Sequence, residues 1–291
     1  MERELWVVVR RIIDDVSRYR PDTAKHTFST AAVVRVYFWA VLHDRPVSRA
    51  CDPRRWDDRT RPARLPHQST MSRRLRTARF ADFLDAMTRR LRGRADALLQ
   101  RLDGKPMFVP RHSQDRQATW GRGAGQMHRG YKLHAIWGDG DLPTAWEVRG
   151  LADDEKLVAR ELLPQVPGGG YVVGDAFYDS NPLHAVAAEH GRQLVAPRKH
   201  THRGRGLGQR KHHPGRRRSL HPTEPGRFVD GAFGRALLAA RRTIESRFGQ
   251  LAAAAGGLTH LPPWVRGLRR VSQWVHVKLL LHAARRRVLR A

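Results

Sequence analysis

The sequence predicts an α/β chain, a mixed sheet with flanking helices that follows a small all-helical region. Two observations carry this. Apolar residues keep helical spacing up to about residue 95, and from about Leu102 they fall into short runs bounded by Gly, Pro, Asp and Asn. A third observation, the order of strand-like and helix-like runs after Leu102, sets the kind of sheet.

The helical part opens with Leu5, Val8, Val9, Ile12, Ile13 and Val16 on one helical face, and a second apolar helix is predicted over Ala31–Leu42. Loops rich in Pro and Arg follow from Asp44 to Pro66. Residues Leu65–Leu75 then read as a short helix with small polar residues at its start and Arg73 and Arg74 in its middle. Such a helix can meet phosphates and base edges, or be an ordinary solvated basic helix.

Strand-like runs occupy Leu102–Val109, Gly130–Trp137, Thr144–Val148, Tyr171–Asp175 and Gln193–Ala196, with helices over Asp153–Leu163 and Pro182–His190. Three strands, then helix, strand, helix and strand give the order of an RNase-H-like mixed sheet. Gly121-Arg122-Gly123-Ala124-Gly125 lacks a following Gly-Lys-Ser/Thr and no predicted strand precedes it, so it reads as a backbone-exposing turn and not a nucleotide loop. Tyr131, Trp137, Trp120 and Tyr178 are read as core in preference to stacking platforms for bases.

The segment Arg198–Arg218 is strongly basic and has no acid, which predicts a mobile insertion loop extending to about residue 232, with Arg198, Lys199, Arg203 and Arg205 available to a phosphate backbone. A helical pattern returns from Arg235 to about Ala255, and a last basic helix is predicted over Trp264–Arg290. The expected division is 1–95 helical and helix-turn-helix-like, 96–255 catalytic, and 256–291 a C-terminal helix.

Composition narrows the function. The 291 residues carry a formal charge of +28 and a pI near 11.6, with 48 Arg against seven Lys. Such a charge points to a polyanionic partner, nucleic acid before an anionic membrane. The single cysteine, Cys51, excludes an internal disulfide and a Cys-rich zinc site, and no apolar run approaches the length of a membrane span, so the expected location is the cytoplasm.

Against this basic background, Tyr171-Val172-Val173-Gly174-Asp175 reads as a buried strand that delivers one carboxylate to the sheet's edge. After Asp230 the chain contains one acid, Glu245, with Arg241 and Arg242 on the preceding turn. Asp103, in Leu102-Asp103-Gly104, lies in or beside the first strand, with Asp115 and Asp96 as alternatives. Each acid also has a plainer reading: a Gly-Asp or Asp-Gly turn for Asp175 and Asp103, a helix pair with Arg241 for Glu245.

Leu102-Asp103-Gly104-Lys105-Pro106, Ser113-Gln114-Asp115 with Trp120-Gly121-Arg122, Gly130-Tyr131-Lys132-Leu133-His134, Gly174-Asp175-Ala176-Phe177-Tyr178-Asp179 and Arg242-Thr243-Ile244-Glu245-Ser246-Arg247-Phe248 occur in this order. Together they resemble the DDE transposases of bacterial insertion sequences over roughly residues 100–255. The resemblance implies an RNase-H-like catalytic domain in which Asp103, Asp175 and Glu245 hold two Mg²⁺ ions, with Mn²⁺ able to substitute. It implies cleavage of transposon ends and strand transfer into target DNA by a homodimer in a synaptic complex, on double-stranded DNA bearing terminal inverted repeats. Lys132, Arg241, Arg242 and the basic loop would hold phosphates, and the N-terminal helices would recognise the ends. Some members carry Tyr-x-x-Arg-x-x-x-Glu-x-x-x-x-x-x-Lys around the glutamate. Here Arg241 and Glu245 fit, while Leu238 and Ala252 stand at the Tyr and Lys positions, which implies either a neighbouring subgroup or a different strand-handling step. A nuclease of the same fold without strand transfer, and a decayed or domesticated DNA-binding protein, are the alternatives.

Overall fold

The computed structural model describes residues 2–22, 26–92, 98–197, 213–220, 231–253 and 257–290. The chain forms two compact units, Met1–Arg92 with Leu251–Ala291, and Gly93–Gln250. The C-terminal segment that the sequence sets apart thus belongs to the N-terminal unit.

Helix α1 (Glu2–Tyr19) buries Leu5, Trp6, Val9, Ile12, Ile13 and Val16, the stripe expected of its spacing with Trp6 replacing Val8. Helix α2 (Thr30–Leu42) is buried on nearly every face, and Ser29 caps its start by accepting from the Ala32 amide at 3.1 Å. Asp22 takes the Thr30 amide and hydroxyl, each at 2.6 Å, and Arg74 donates to Phe28 O at 3.0 Å and to Thr30 Oγ1 at 2.9 Å. The predicted loop Asp44–Pro66 contains a short helix, α3 (Val47–Ala50), and a 3-10 turn at Pro53–Arg55. Helix α4 (Gln68–Arg74) is the short basic helix, started by His67, and α5 (Ala78–Leu91) follows with Thr77 as its cap.

The second unit is a six-stranded mixed sheet. Its strands are β1 (Leu99–Phe108), β2 (Thr119–Gly123), β3 (Gln126–Trp137), β4 (Ala145–Gly150), β5 (Gly170–Val173) and β6 (Arg192–Val195). The order is β2-β3-β1-β5-β6, with β4 also paired to β3; β1 runs antiparallel to β3 and parallel to β5, which is parallel to β6. This is the expected RNase-H-like arrangement, with one addition. The glycine-rich segment is strand β2, joined to β3 by a tight turn at Ala124 and Gly125, both at positive φ. Gly121 is required there, because a Cβ would come within 2.5 Å of the Leu151 carbonyl.

Helices α6 (Glu155–Leu162) and α7 (Asn181–Glu189) pack on one face of the sheet, over Leu102, Ile136, Val172 and Leu194. Helix α8 (Pro214–Leu220) gives helical structure to part of the predicted insertion loop. Helix α9 (Ala232–Ala240) places Leu237 and Leu238 on the other face against Val173 and Val195. Val172 and Val173 therefore point to opposite covered faces, which is why the strand reads as an unbroken apolar run. Helix α10 (Arg242–Ala253) is separated from α9 at Arg241, and α11 (Leu268–Val288) completes the helical unit against α1, α2 and α5. Among the described residues no helix is long and apolar enough to cross a membrane.

Candidate active site

Strands β1 and β5 pair in parallel through Arg101 and Val173. Two residues beyond that last pair on each strand stand Asp103 and Asp175. The alternation of side chains puts Leu102 in the helix-covered core and turns Asp103 to the face that carries α9. Asp103 is thus inside β1, not in the Asp-Gly turn its neighbours allow, and its Oδ1 accepts from the Gly104 amide at 2.8 Å. Asp175 lies two residues past the end of β5 and caps the following 3-10 turn (Ala176–Tyr178), accepting from the Phe177 amide at 2.8 Å.

The electrostatics match this placement. Burial pushes the Asp103 carboxyl up to about 6; Asp175 and Glu155 add to the rise, while the Gly104 amide and Arg241 oppose it. A buried carboxylate with two acids in its field gains from a nearby cation.

Arg241 supplies positive charge. Its guanidinium lies 3.6 Å from Asp103 Oδ2 and 2.6 Å from Glu245 Oε1, so it stands between the strand acid and the helix acid. Two further arginines fix that position, Arg101, which the sequence does not single out, and Arg247, which stands two residues after Glu245. Arg101, two residues before Asp103 on the same face, donates to the Ala240 carbonyl at 3.0 Å and pairs with Asp139 at 2.9 Å, fastening the end of α9. Arg247 donates to the Gly140 and Asp139 carbonyls at 2.7 and 3.1 Å, and Phe248 meets Trp137 edge-on, which docks α10. Arg247 therefore anchors the helix. The Glu245 side chain remains 52% exposed.

Among the described residues no three of His, Cys, Asp and Glu stand close enough together to share one ion. The carboxylate oxygens of Asp103 and Asp175 suit a hard divalent cation. Glu245, the third candidate acid, is paired with Arg241. Asp115, the alternative to Asp103, is buried and accepts from the Tyr131 hydroxyl at 2.9 Å, a structural bond, and Asp96 lies outside the described residues.

Beneath the aspartates is a group that the sequence does not reveal. Glu155, at the start of α6, pairs through Oε1 with Lys132 of β3 and accepts from the Tyr178 hydroxyl at 2.9 Å through Oε2. Lys132 is buried, so its ammonium serves Glu155, and the phosphate contact expected of it is corrected. Asp179 is a second buried anchor, with 0% side-chain exposure. It takes Arg216 of α8 in a two-pronged pair, Nε to Oδ1 and Nη2 to Oδ2 at 2.7 Å each.

The other predicted phosphate contacts divide. Arg242 and Arg73 are exposed. Arg74 is half-buried and bound to the start of α2. Arg198, Lys199, Arg203 and Arg205 lie outside the described residues. Tyr131, Trp137 and Tyr178 are core as expected, whereas Trp120 is 64% exposed on β2.

The sequence profile of the family described as "Transposase DDE domain" matches residues 98–282. No curated protein matches the chain. Among solved structures, a cryo-EM structure of a piggyBac transposase synaptic complex with hairpin DNA matches with a TM-score of 0.36 and 10% identity, over 67% of this chain and 48% of that one. This chain thus spans about half the length of that protein, and so distant a likeness carries no argument.

Proposed function

We propose, from the premise that this chain belongs to the transposase DDE domain family, that it cleaves the ends of a mobile DNA element and joins them to target DNA. The observation that supports this reading is the pair Asp103 and Asp175, set side by side at the end of the β1–β5 pairing in a chain of charge +28.

Asp103 and Asp175 would hold divalent metal, with Mg²⁺ the ion proposed, two per site, and Glu245 as the third acid. Bound there, such ions activate an attacking water or 3′-hydroxyl and stabilise the departing oxygen of a phosphodiester. The chain's own residues do the rest. Arg241 neutralises Asp103 and Glu245 in the present arrangement, and with the exposed Arg242 it would take a DNA phosphate once metal engages the acids. Arg101 and Arg247 hold the two helices that present it. The exposed Arg73 of α4 is proposed to contact the element's terminal repeats, and a homodimer to pair two ends.

The test is nicking of supercoiled DNA by the wild type and Asp175→Ala, with Mg²⁺ or Mn²⁺ and with chelator. Metal-dependent nicking that the substitution reduces by about 100- to 1000-fold is expected, comparable to the loss of a central electrostatic group in other active sites. Equal nicking by both proteins refutes the assignment. Pre-cut ends that fail to join to a target would leave a nuclease without strand transfer.

A further inference from the structure

Glu155, Lys132 and Tyr178 come from three separate elements, and no part of the proposed chemistry uses them. Each of Glu155's two oxygens has one partner, Lys132 on Oε1 and the Tyr178 hydroxyl on Oε2. The group sits between the two aspartate-bearing segments and touches each through a glycine.

On the β1 side, Gly104 follows Asp103. A Cβ at Gly104 would lie 3.0 Å from Lys132 Cδ and 3.1 Å from Glu155 Oε2, so the Lys132–Glu155 pair fills the space that a side chain next to Asp103 would need. On the β5 side, Gly174 precedes Asp175. A Cβ there would lie 2.8 Å from Tyr178 Cδ2, so the tyrosine ring packs directly under the backbone that aims Asp175. Tyr178 closes the turn that Asp175 caps, its amide donating to the Asp175 carbonyl at 3.1 Å. One carboxylate thus spans the two backbones, one residue from each aspartate.

The charges explain why a glutamate can serve. A third acid here repels Asp103, whose carboxyl Glu155 pushes up, and Lys132 at contact distance offsets part of that charge, so the group adds rigidity at a reduced electrostatic cost. Its buried setting, with Lys132 and Tyr178 both shielded from water, keeps the bonds from exchanging with solvent.

We propose that Glu155 is a positioning residue that holds Asp103 and Asp175 at the separation needed to share divalent metal, through Lys132 at Gly104 and through Tyr178 at Gly174. This rests on the two-aspartate reading of the site. It also gives the Gly-Tyr-Lys and Asp-x-x-Tyr runs a common purpose, since Lys132 and Tyr178 meet on the same carboxylate.

The experiment titrates Mn²⁺ into the full-length protein without DNA, by calorimetry or by electron paramagnetic resonance of free Mn²⁺, for the wild type, Tyr178→Phe, Glu155→Gln and Asp103→Asn. Thermal melting and hydrogen exchange of the peptides around Gly104 and Gly174 accompany it. Tyr178→Phe removes only a hydroxyl and retains the packed ring, so it guards against a Glu155 variant that fails to fold. Positioning predicts Mn²⁺ affinity weaker by about 10-fold in Tyr178→Phe and Glu155→Gln well below their melting temperatures, the size of effect that groups orienting metal ligands show. In Glu155→Gln it also predicts faster exchange in both peptides together. A lowered melting temperature with unchanged Mn²⁺ affinity overturns the proposal and leaves a purely structural cluster. Wild type and Asp103→Asn with the same Mn²⁺ response would instead overturn the two-aspartate reading, and faster exchange confined to one peptide would overturn the bridge even then.

Discussion

The helical unit and the sheet unit bury different kinds of side chain. Among the described residues, the helical unit's interior includes three polar or charged groups, Thr30, Lys278 and His282. The sheet unit has nine, Gln100, Arg101, Asp115, Lys132, His134, Thr144, Asp179, His184 and Arg192. The first is held by apolar packing of α1, α2, α5 and α11 and keeps most of its charge on the surface. The second uses paired ions inside, where Arg101, Glu155 and Arg216 fasten segments beside Asp103 and Asp175. Bonds of that kind specify position, which a site needs, at the risk of leaving a charge stranded when one partner is lost.

That risk gives the largest expected effect. Asp179→Ala takes from the Arg216 guanidinium both of its 2.7 Å bonds to a fully buried carboxylate, and removal of one partner of a buried pair typically costs about 3–5 kcal/mol. Urea unfolding followed in the sheet unit should show a loss of that size, whereas the double substitution Asp179→Leu with Arg216→Met should recover most of it. A loss below about 1 kcal/mol for Asp179→Ala would mean that the internal ions are incidental to stability and the contrast between the units is weaker than drawn.

Acid should act on both units alike, which sharpens the comparison by separating charge pairing from simple burial. Burial lowers His134 in the sheet unit to about 4, and burial, helped by Arg92, lowers His276 in the helical unit to about 4. Each imidazole is neutral when folded and takes a proton more readily when unfolded. Its contribution is therefore complete above the ordinary histidine value near 6.5 and is lost as pH falls from there towards 4. Near pH 5 the loss is about 2 kcal/mol for each group. His134→Gln and His276→Gln should each flatten the acid limb of stability against pH. An unchanged slope in either variant would show that its imidazole is solvated in the folded protein.

The smallest effects separate two adjacent arginines of α4. Arg74→Ala should destabilise the helical unit by about 1–2 kcal/mol through its bonds to Phe28 and Thr30, with little change in DNA affinity. Arg73→Ala should leave stability alone, weaken DNA binding a few-fold and lower the slope of log affinity against log salt by about 1. The reverse pattern would assign the reading face of α4 to Arg74.

Much of the fold was legible because its signals are local. The stripe of α1, the apolar runs of α2, β3 and β5, and the Gly-Asp step at Gly174 and Asp175 all declare themselves within a few residues. Strand β2 did not, since Thr119–Gly123 has the composition of a turn, and it becomes a strand because β3 offers a free edge along Gln126–Gly130. Its exposed Trp120 was read as core for the same reason: without the pairing, nothing showed which side of the strand faced outward.

By itself, then, the sequence determined the order of strands and helices apart from β2 and α8, the basic surface and the candidate acids Asp103, Asp175 and Glu245, because periodicity, net charge and residue chemistry are properties of short stretches. Only the tertiary structure decided which charges are available. Lys132 and Glu155 are 23 residues apart, Asp179 and Arg216 are 37 apart, and Arg101 meets the Ala240 carbonyl 139 residues away. A charged side chain reads the same in sequence whether it faces water or a buried partner. The difference is made by the desolvation that packing imposes, and by the opposite charge that the fold brings to meet it.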